Sequence, residues 1–479
     1  MKPRASLLAN LWRRLTGRSS RVRSRAGAGG GPAPQRDPAF LLLNERAPIK
    51  QAASPETSGV RRPPERATAE AGEDRRPALI CREAILDRTQ RVAAYEFMLN
   101  PSARSRIRAS SERVLRLYDE LLVQHILDLQ PERLLGHRLA FITLRAPSLD
   151  LALVRDLPRS NTVLSLRFSG PAPDLPRQMG ELKADGFRLA LDEADGIAQI
   201  QPFLELADFV ALDASAYAPA ALAQMASALA ARSIKLRLIA KHLQSLEDFQ
   251  MCDRLPFHYF QGTFVTSRES WDQPRADGSR AKLCELLNRV RANAAPAELS
   301  TLLMRDPVLA YRFLRHVNSA AYGYSKVGTV DQGLLLLGRD KLYRWLSMLL
   351  FAVGDRGALD FALMENAVIR ARLMETVGEG QIPAPEQSDL FVTGMFSLLD
   401  VLFKTPMREV IKHLTLPASI EEALLFQRGK YAPYLKLAIA AEGFEEHELT
   451  TLAAQCGVAE KTVNMLHLDA LVWAQELAF

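Results

Sequence analysis

Short runs rich in aliphatic, β-branched and aromatic residues recur at 78–85, 91–99, 139–144, 162–168, 187–191, 209–212, 235–240 and 257–260. Between them, 110–129, 175–184 and 219–231 repeat their apolar residues at helical spacing, the pattern of amphipathic helices. Strand followed by helix, repeated, predicts parallel strands with crossover helices, and repetition around a circuit predicts a (β/α) barrel. The span 77–271 falls short of the roughly 250 residues typical of that barrel, so some helices are expected to be trimmed.

After Asp272-Gln273-Pro274-Arg275-Ala276-Asp277-Gly278, which reads as a linker, strand signals vanish. Helices are predicted over 281–293, 297–304, 308–317, 330–337, 340–353, 359–375, 387–402, 407–414, 418–426 and 431–441, with stops at Asp306-Pro307, Gly323, Gly338, Gly380 and 383–385. The fold class expected is therefore α/β plus all-α, with a tail over 1–76, a barrel over 77–271 and a helical domain over 272–479. No internal repeat is visible.

The tail changes how the charge is read. Residues 1–36 hold nine basic side chains and no acid. Taking those nine from the formal +6 leaves the rest of the chain at −3, so the basic balance gives little support to a nucleic-acid surface on the folded part. From 27 to 76 the chain is rich in Gly, Pro, Ala, Arg and Glu without sustained periodicity, as expected of a disordered segment. Before it, Leu7, Leu8, Leu11, Trp12 and Leu15 fit either a disordered start or a basic amphipathic helix, with weak membrane-surface contact through residues 1–25. No apolar run reaches the roughly 18 residues of a membrane span. The scattered Cys81, Cys252, Cys284 and Cys456 form no C-x-x-C pair, which argues against a disulfide framework and for the cytoplasm.

Chemistry in a barrel gathers at the C-terminal ends of its strands, here Glu96, Thr143, Ser165, Asp192 with Glu193, Asp213, Lys241 and Gln261. Carboxylates among them could share a divalent cation, but a metal cage for phosphodiester cleavage needs several oxygen ligands. Lys241 would repel such an ion, and Thr143 and Ser165 are weak neutral ligands. A merely polar barrel mouth is the simpler reading.

The run from Ile80-Cys81-Arg82-Glu83 through Ala94-Tyr95-Glu96 resembles the opening of EAL domains, the barrel phosphodiesterases that hydrolyse cyclic di-GMP, and Tyr259-Phe260-Gln261-Gly262-Thr263-Phe264 resembles their closing segment. The resemblance implies that Glu96 stands at the signature glutamate, in the triplet Glu96-Phe97-Met98. It further implies that Thr143 and Ser165 replace an asparagine and a glutamate ligand, that Asp192-Glu193 takes the two-aspartate motif, that Ala211 replaces the catalytic lysine before a retained Asp213, and that Lys241 and Gln244 replace glutamates. These departures imply that catalysis is lost and that no cofactor or metal is bound, leaving Glu96, Asp192, Glu193, Asp213 and Gln261 as vestigial positions for ligand contact.

In the helical half, the run from Asp306-Pro307 through Asn318-Ser319-Ala320-Ala321-Tyr322-Gly323 is similar to the central segment of HDOD domains, and Leu334-Leu335-Leu336-Leu337-Gly338 resembles a later helix start in them. HDOD domains resemble HD phosphohydrolases in fold but typically lack the His-Asp metal dyad. None of the eight histidines here is followed by aspartate, and His316 reads as a helix or core histidine. Tyr322 and Tyr324 form a candidate partner surface. Residues 449–466 read like a helix-turn-helix, yet only Lys461 is basic across them, so a terminal helical hairpin is the simpler reading.

The order of the two domains resembles the bacterial EAL–HDOD signalling proteins. That implies a non-catalytic scaffold or regulator in the cyclic di-GMP network, working through contacts with signalling proteins such as a response regulator or a diguanylate cyclase. A cyclic di-GMP receptor without hydrolytic activity is the alternative, and an active phosphodiesterase or a DNA-binding regulator stands behind both.

Overall fold

Residues that alternate between small or aromatic and aliphatic side chains form eight strands, which close into one barrel in the order β1 to β8. The computed structural model describes residues 80–99, 112–128, 138–167, 174–192, 200–232, 235–268, 278–319, 327–353, 359–443 and 446–476. The expectations for the 1–76 tail, Glu193, Tyr322 and Tyr324 lie outside the described residues.

The strands are β1 (Ile80–Asp87), β2 (Val92–Leu99), β3 (Leu139–Arg145), β4 (Thr162–Arg167), β5 (Arg188–Asp192), β6 (Phe209–Asp213), β7 (Arg237–Lys241) and β8 (Tyr259–Gln261). From β2 to β8 neighbours run parallel, but β1 is antiparallel to both β2 and β8. Repetition of strand and helix suggested parallel pairs throughout. The four residues 88–91 are too few for a crossover, which needs a dozen or more. They form a turn instead: the Asp87 carboxylate accepts from the Thr89 backbone N–H at 2.8 Å and its hydroxyl at 2.6 Å, and Gln90 takes a left-handed φ of 58°.

Helices α1 (Glu112–Asp128), α2 (Leu175–Ala184), α3 (Pro219–Arg232) and α4 (Leu246–Asp253) belong to the barrel. Between β3 and β4 the connection is two 3₁₀ turns, Ala146–Ser148 and Ala152–Asp156, and another at Gln201–Leu206 precedes β6. Trimming therefore falls on the β3–β4 crossover.

Inside the barrel the period of two is decisive. Ile85, Ala94, Phe141, Val163, Ala190, Phe209, Ala211 and Ile239 form one apolar plug, with Phe141 and Phe209 edge to face at 5.1 Å between ring centres. Two residues further along their strands, Ala94, Phe141, Val163, Ala190 and Ile239 are followed by Glu96, Thr143, Ser165, Asp192 and Lys241. The floor is dry and the layer above it polar.

Beyond the barrel lie α5 (Gly278–Arg291), α6 (Pro296–Met304), α7 (Pro307–Val317), α8 (Val330–Leu337), α9 (Arg339–Ala352), α10 (Asp360–Val377), α11 (Gln387–Phe396), α12 (Leu399–Phe403), α13 (Met407–Ile411), α14 (Ala418–Phe426), α15 (Ala432–Gly443), α16 (Glu446–Gln455) and α17 (Glu460–Glu476). The chain divides into two compact units: Ala78–Ala292 with Tyr343–Ala478, and a smaller one containing Asn293–Leu342.

In the smaller unit the motif residues have structural work. The Asp306 carboxylate accepts from the N–H groups of Val308 and Leu309, with Pro307 as the first helical residue of α7, which satisfies two otherwise orphaned donors. Asn318 clamps the chain after α7, donating to Leu314 O and Val327 O and accepting from Val327 N–H at 2.7 Å. Gly333 of α8 lies so close to the Phe313 ring that a Cβ would stand 2.7 Å from it. His316 on α7 is pushed down to about 4 by burial.

In the larger unit α10 is buried along most of its length. Gly394 of α11 crosses α10 where a Cβ would meet Ala371 Cα at 2.4 Å. The segment that read like a helix-turn-helix is a helical hairpin, α16 and α17, and α17 buries Val463, His467, Ala470, Leu471 and Ala474. Its inward face is thus spent on packing.

Candidate functional site at the barrel mouth

The polar layer above the apolar plug is built around one carboxylate. Glu96, only 2% exposed, accepts from Thr143 Oγ1 at 2.5 Å, from Gln261 Nε2 at 2.6 Å and from Lys241 Nζ at 3.0 and 2.9 Å through its two oxygens. Lys241 Nζ also reaches Asp192 Oδ2 at 3.4 Å. Arg167 Nη2 closes on the same oxygen at 2.9 Å. Gln261 Nε2 donates a second time, to Glu83 Oε2 at 2.8 Å.

Local backbone explains these positions. Gln261 is held by Gly262, whose Cβ position would fall 2.0 Å from Leu243 O, so only glycine lets the chain pass there. Leu243 N–H then donates to Gln261 O at 3.1 Å. Lys241 ends β7, and His242 after it takes a left-handed φ of 60°. Thr143 and Ser165 lie opposite each other across β3 and β4, and Arg167 opposite Asp192 across β4 and β5.

The electrostatics follow from burial and pairing. Burial pushes Asp192 upward, but Lys241 and Arg167 outweigh it and hold the carboxyl down at about 2. Glu96 is likewise held below its ordinary value: burial raises it, and Lys241 with the Thr143 and Gln261 hydrogen bonds more than offset that. Burial works against the Lys241 ammonium, yet the two carboxylates raise it. Glu83 goes up, by burial and by the charge on Glu96. The layer is thus two anions matched by two cations, next to a carboxyl biased toward its neutral form.

Of the residues singled out from sequence, Glu96, Asp192 and Gln261 converge. Asp213 does not join them: it sits at the rim, accepting from Ser215 and pairing with His242 Nδ1 at 2.9 Å. Despite partial burial, the Ser215 hydrogen bonds and His242 hold its carboxyl below the ordinary value. Ala211 belongs to the apolar plug. Two members of the site, Arg167 and Glu83, were missed, although both were within reach of the alternation rule: Glu83 lies two residues before Ile85, and Arg167 two after Ser165.

The EAL resemblance implies a divalent cation among the positions 96, 143, 165, 192 and 241. The residues present do not fit one. The Lys241 ammonium lies between the two carboxylates that would have to be shared, and Thr143 supplies only a neutral hydroxyl, already donating to Glu96, where an ion would need an anionic oxygen. Among the described residues, no group of three or more His, Cys, Asp and Glu comes together to hold a metal.

Comparison with known proteins extends the picture. The HDOD domain family model matches residues 279–399. Over 405 residues, 83% of this chain and 92% of the other, the sequence is 23% identical to the cyclic di-GMP phosphodiesterase CdgJ of Vibrio cholerae serotype O1. It is 24% identical over 412 residues to the uncharacterized protein YuxH of Bacillus subtilis, covering 98% of that protein. Among solved structures, the EAL enzyme Bd1971 in its cAMP- and cyclic-di-GMP-bound form aligns at 15% identity and TM-score 0.33, over 38% of this chain and 60% of that one. A standalone EAL protein of Vibrio cholerae O395 in its cyclic-di-GMP-bound form aligns at 17% identity and TM-score 0.32, over 38% of this chain and 89% of that one.

These findings correct one expectation. The departures at Thr143, Ser165, Ala211 and Lys241 led to a non-catalytic scaffold and to no enzyme. A relative that spans most of the chain is named a phosphodiesterase, which overturns that conclusion. Loss of expected ligand types is a statement about one arrangement of groups, and Glu96, Asp192 and Gln261 still converge at the mouth of the barrel. No helix among the described residues is long and apolar enough to cross a membrane. After a closed eight-stranded barrel with EAL-like motifs at 80–96 and 259–264, the chain thus carries an HDOD domain over residues 279–399.

Proposed function

We propose that the chain takes cyclic di-GMP at the C-terminal mouth of its barrel and acts in turnover and sensing of that dinucleotide. The observation that carries the reading is the convergence of Glu96, Asp192, Lys241 and Gln261 on one buried polar layer above a dry floor. Such a layer is placed where barrels do chemistry. The relative from Vibrio cholerae supplies the substrate and the reaction class, hydrolysis of a phosphodiester bond. In this reading the HDOD domain passes occupancy to signalling proteins, a response regulator or a diguanylate cyclase. Its support is physical: β2 points Glu96 into the mouth and Tyr95 outward, where its hydroxyl donates to Glu365 on α10. The cytoplasm suits the buried free thiols of Cys252, Cys284 and Cys456, which burial pushes up to about 11, 11 and 12.

Calorimetric titration of the full chain with cyclic di-GMP tests this. Saturable binding that weakens in Gln261→Ala supports it, and no heat under any condition overturns it. Chromatography of the same samples for the linear dinucleotide assigns turnover to this chain directly.

A further inference from the structure

We propose that the ammonium of Lys241 is the resident cation of the barrel mouth, so that the site takes the phosphodiester anion of a dinucleotide directly, without a divalent ion between protein and phosphate. For its ligand the inference rests on the reading of the mouth as a cyclic di-GMP site. For its cation it rests on geometry alone.

Lys241 Nζ lies 2.9 Å from Glu96 Oε2, 3.0 Å from Oε1 and 3.4 Å from Asp192 Oδ2. These two carboxylates are where a shared divalent ion would have to bind, and carboxylate oxygens approach such ions at about 2.0–2.6 Å. An ion at that distance from both would stand against the ammonium and be repelled by it. Lys241 cannot swing away without cost, since its side chain is only 6% exposed and its departure would leave two buried carboxylates facing each other.

The charges are already balanced. Glu96 and Asp192 are matched by Lys241 and Arg167, so no carboxylate charge is left over to attract a second cation. Metal cages work the other way, with excess negative charge around the ion.

Two orphaned atoms point to what the site accepts. Arg167 Nε and Gln261 Oε1 are buried and have no hydrogen-bond partner among the described residues. Buried polar groups are rarely left so. A donor on a guanidinium next to an ammonium suits an anionic phosphodiester oxygen. An amide acceptor in the same layer suits an N–H group of a purine base.

The test is titration of the full chain with Mn²⁺ alone, followed by electron paramagnetic resonance of the free ion. Wild type is expected to show no saturable site up to about 1 mM, and Lys241→Glu, which turns the pair of carboxylates into three, is expected to bind at least about tenfold more tightly. A saturable wild-type site that Asp192→Asn abolishes would overturn the inference. Should Lys241→Glu fail to fold, Lys241→Met serves: cyclic di-GMP affinity is expected to fall about tenfold or more when the cation is removed. In a second arm, wild-type affinity for cyclic di-GMP is expected to agree within about twofold between EDTA and excess Mn²⁺, whereas a strengthening of about tenfold by Mn²⁺ contradicts the inference. Absence of dinucleotide binding in both buffers overturns the proposed ligand, and the Mn²⁺ titration alone then decides the cation.

Discussion

Adjacent residues of β2 serve two buried ionic clusters of opposite character. Inside the barrel, Glu96 gathers Lys241, Thr143 and Gln261, with Asp192 and Arg167 beside them. Outside, Tyr95 donates to Glu365 of α10, and Arg138 grips the same carboxylate with both terminal nitrogens, at 2.5 and 2.8 Å. Glu365 has both oxygens satisfied by fixed partners, an arrangement that fastens barrel to helices. The inner cluster is also charge-balanced, yet it leaves Arg167 Nε and Gln261 Oε1 without partners among the described residues. The Glu365 carboxylate is fully paired, whereas the inner layer keeps both a donor and an acceptor open at the barrel mouth. The lesson is that burial and pairing alone do not mark a site; open donors and acceptors at the mouth of a barrel are what a ligand can meet.

The sharpest way to break the comparison is at the finished cluster. Glu365→Ala strands the Arg138 guanidinium in a buried setting, and the expected loss is about 3–5 kcal/mol of stability, read from urea denaturation. Dinucleotide affinity of the folded fraction should change by less than about threefold, because the variant leaves the mouth intact.

The inner cluster should show itself in pH. Asp192 is lowered from 3.8 to about 2, and Glu96 is lowered in the same sense. A depressed carboxyl contributes stability that is full above the unfolded-state value and is lost as pH falls through the folded one. The contribution of this cluster should therefore be full down to about pH 4 and be lost progressively toward about pH 2, on top of the earlier decline below about pH 6.5 that buried His316 imposes. In Lys241→Met the decline should begin above pH 4, since removal of the ammonium leaves burial and mutual repulsion to raise both carboxyls. Midpoints measured from pH 7 to pH 2 check both curves, and superimposable profiles would deny Lys241 its pairing role.

A smaller effect is expected at Arg167. Its side chain is 27% exposed and pairs with Asp192, so Arg167→Ala should cost about 1 kcal/mol in stability. Cyclic di-GMP binding should weaken about tenfold by loss of the phosphate-facing donor, measured by calorimetry. The smallest belongs to the rim. His242→Ala removes a half-exposed partner of Asp213, and both stability and affinity should stay within about 0.5 kcal/mol of wild type.

Much of this was legible in the chain. All eight strands showed as period-two or continuous apolar runs, because each has one face on the plug and the other under helices. Asp306-Pro307 was visible as a break between helices, and the structure shows the pair capping the start of α7. The antiparallel β1 was not foreseen, since the rule of alternating strand and helix was applied across a link of four residues. The 3₁₀ turns at 152–156 and 201–206 carry too little periodicity to register. At the site, the inward residues could be named from spacing, and Glu83 and Arg167 could have been. Which of them meet could not, because Lys241 and Glu96 are 145 positions apart and only barrel closure brings them together. The inference of an inactive scaffold failed for a related reason: it counted absent ligand types one position at a time, while function belongs to the arrangement.

The central claim is that the mouth takes a phosphodiester dinucleotide with Lys241, in place of a divalent ion, as its resident cation. Its most direct test is calorimetric titration of the full chain with cyclic di-GMP in EDTA, wild type against Lys241→Met. The account predicts saturable wild-type binding without metal and a loss of about tenfold or more in the variant. Binding that appears only with added divalent ion, or that is untouched by Lys241→Met, would contradict it.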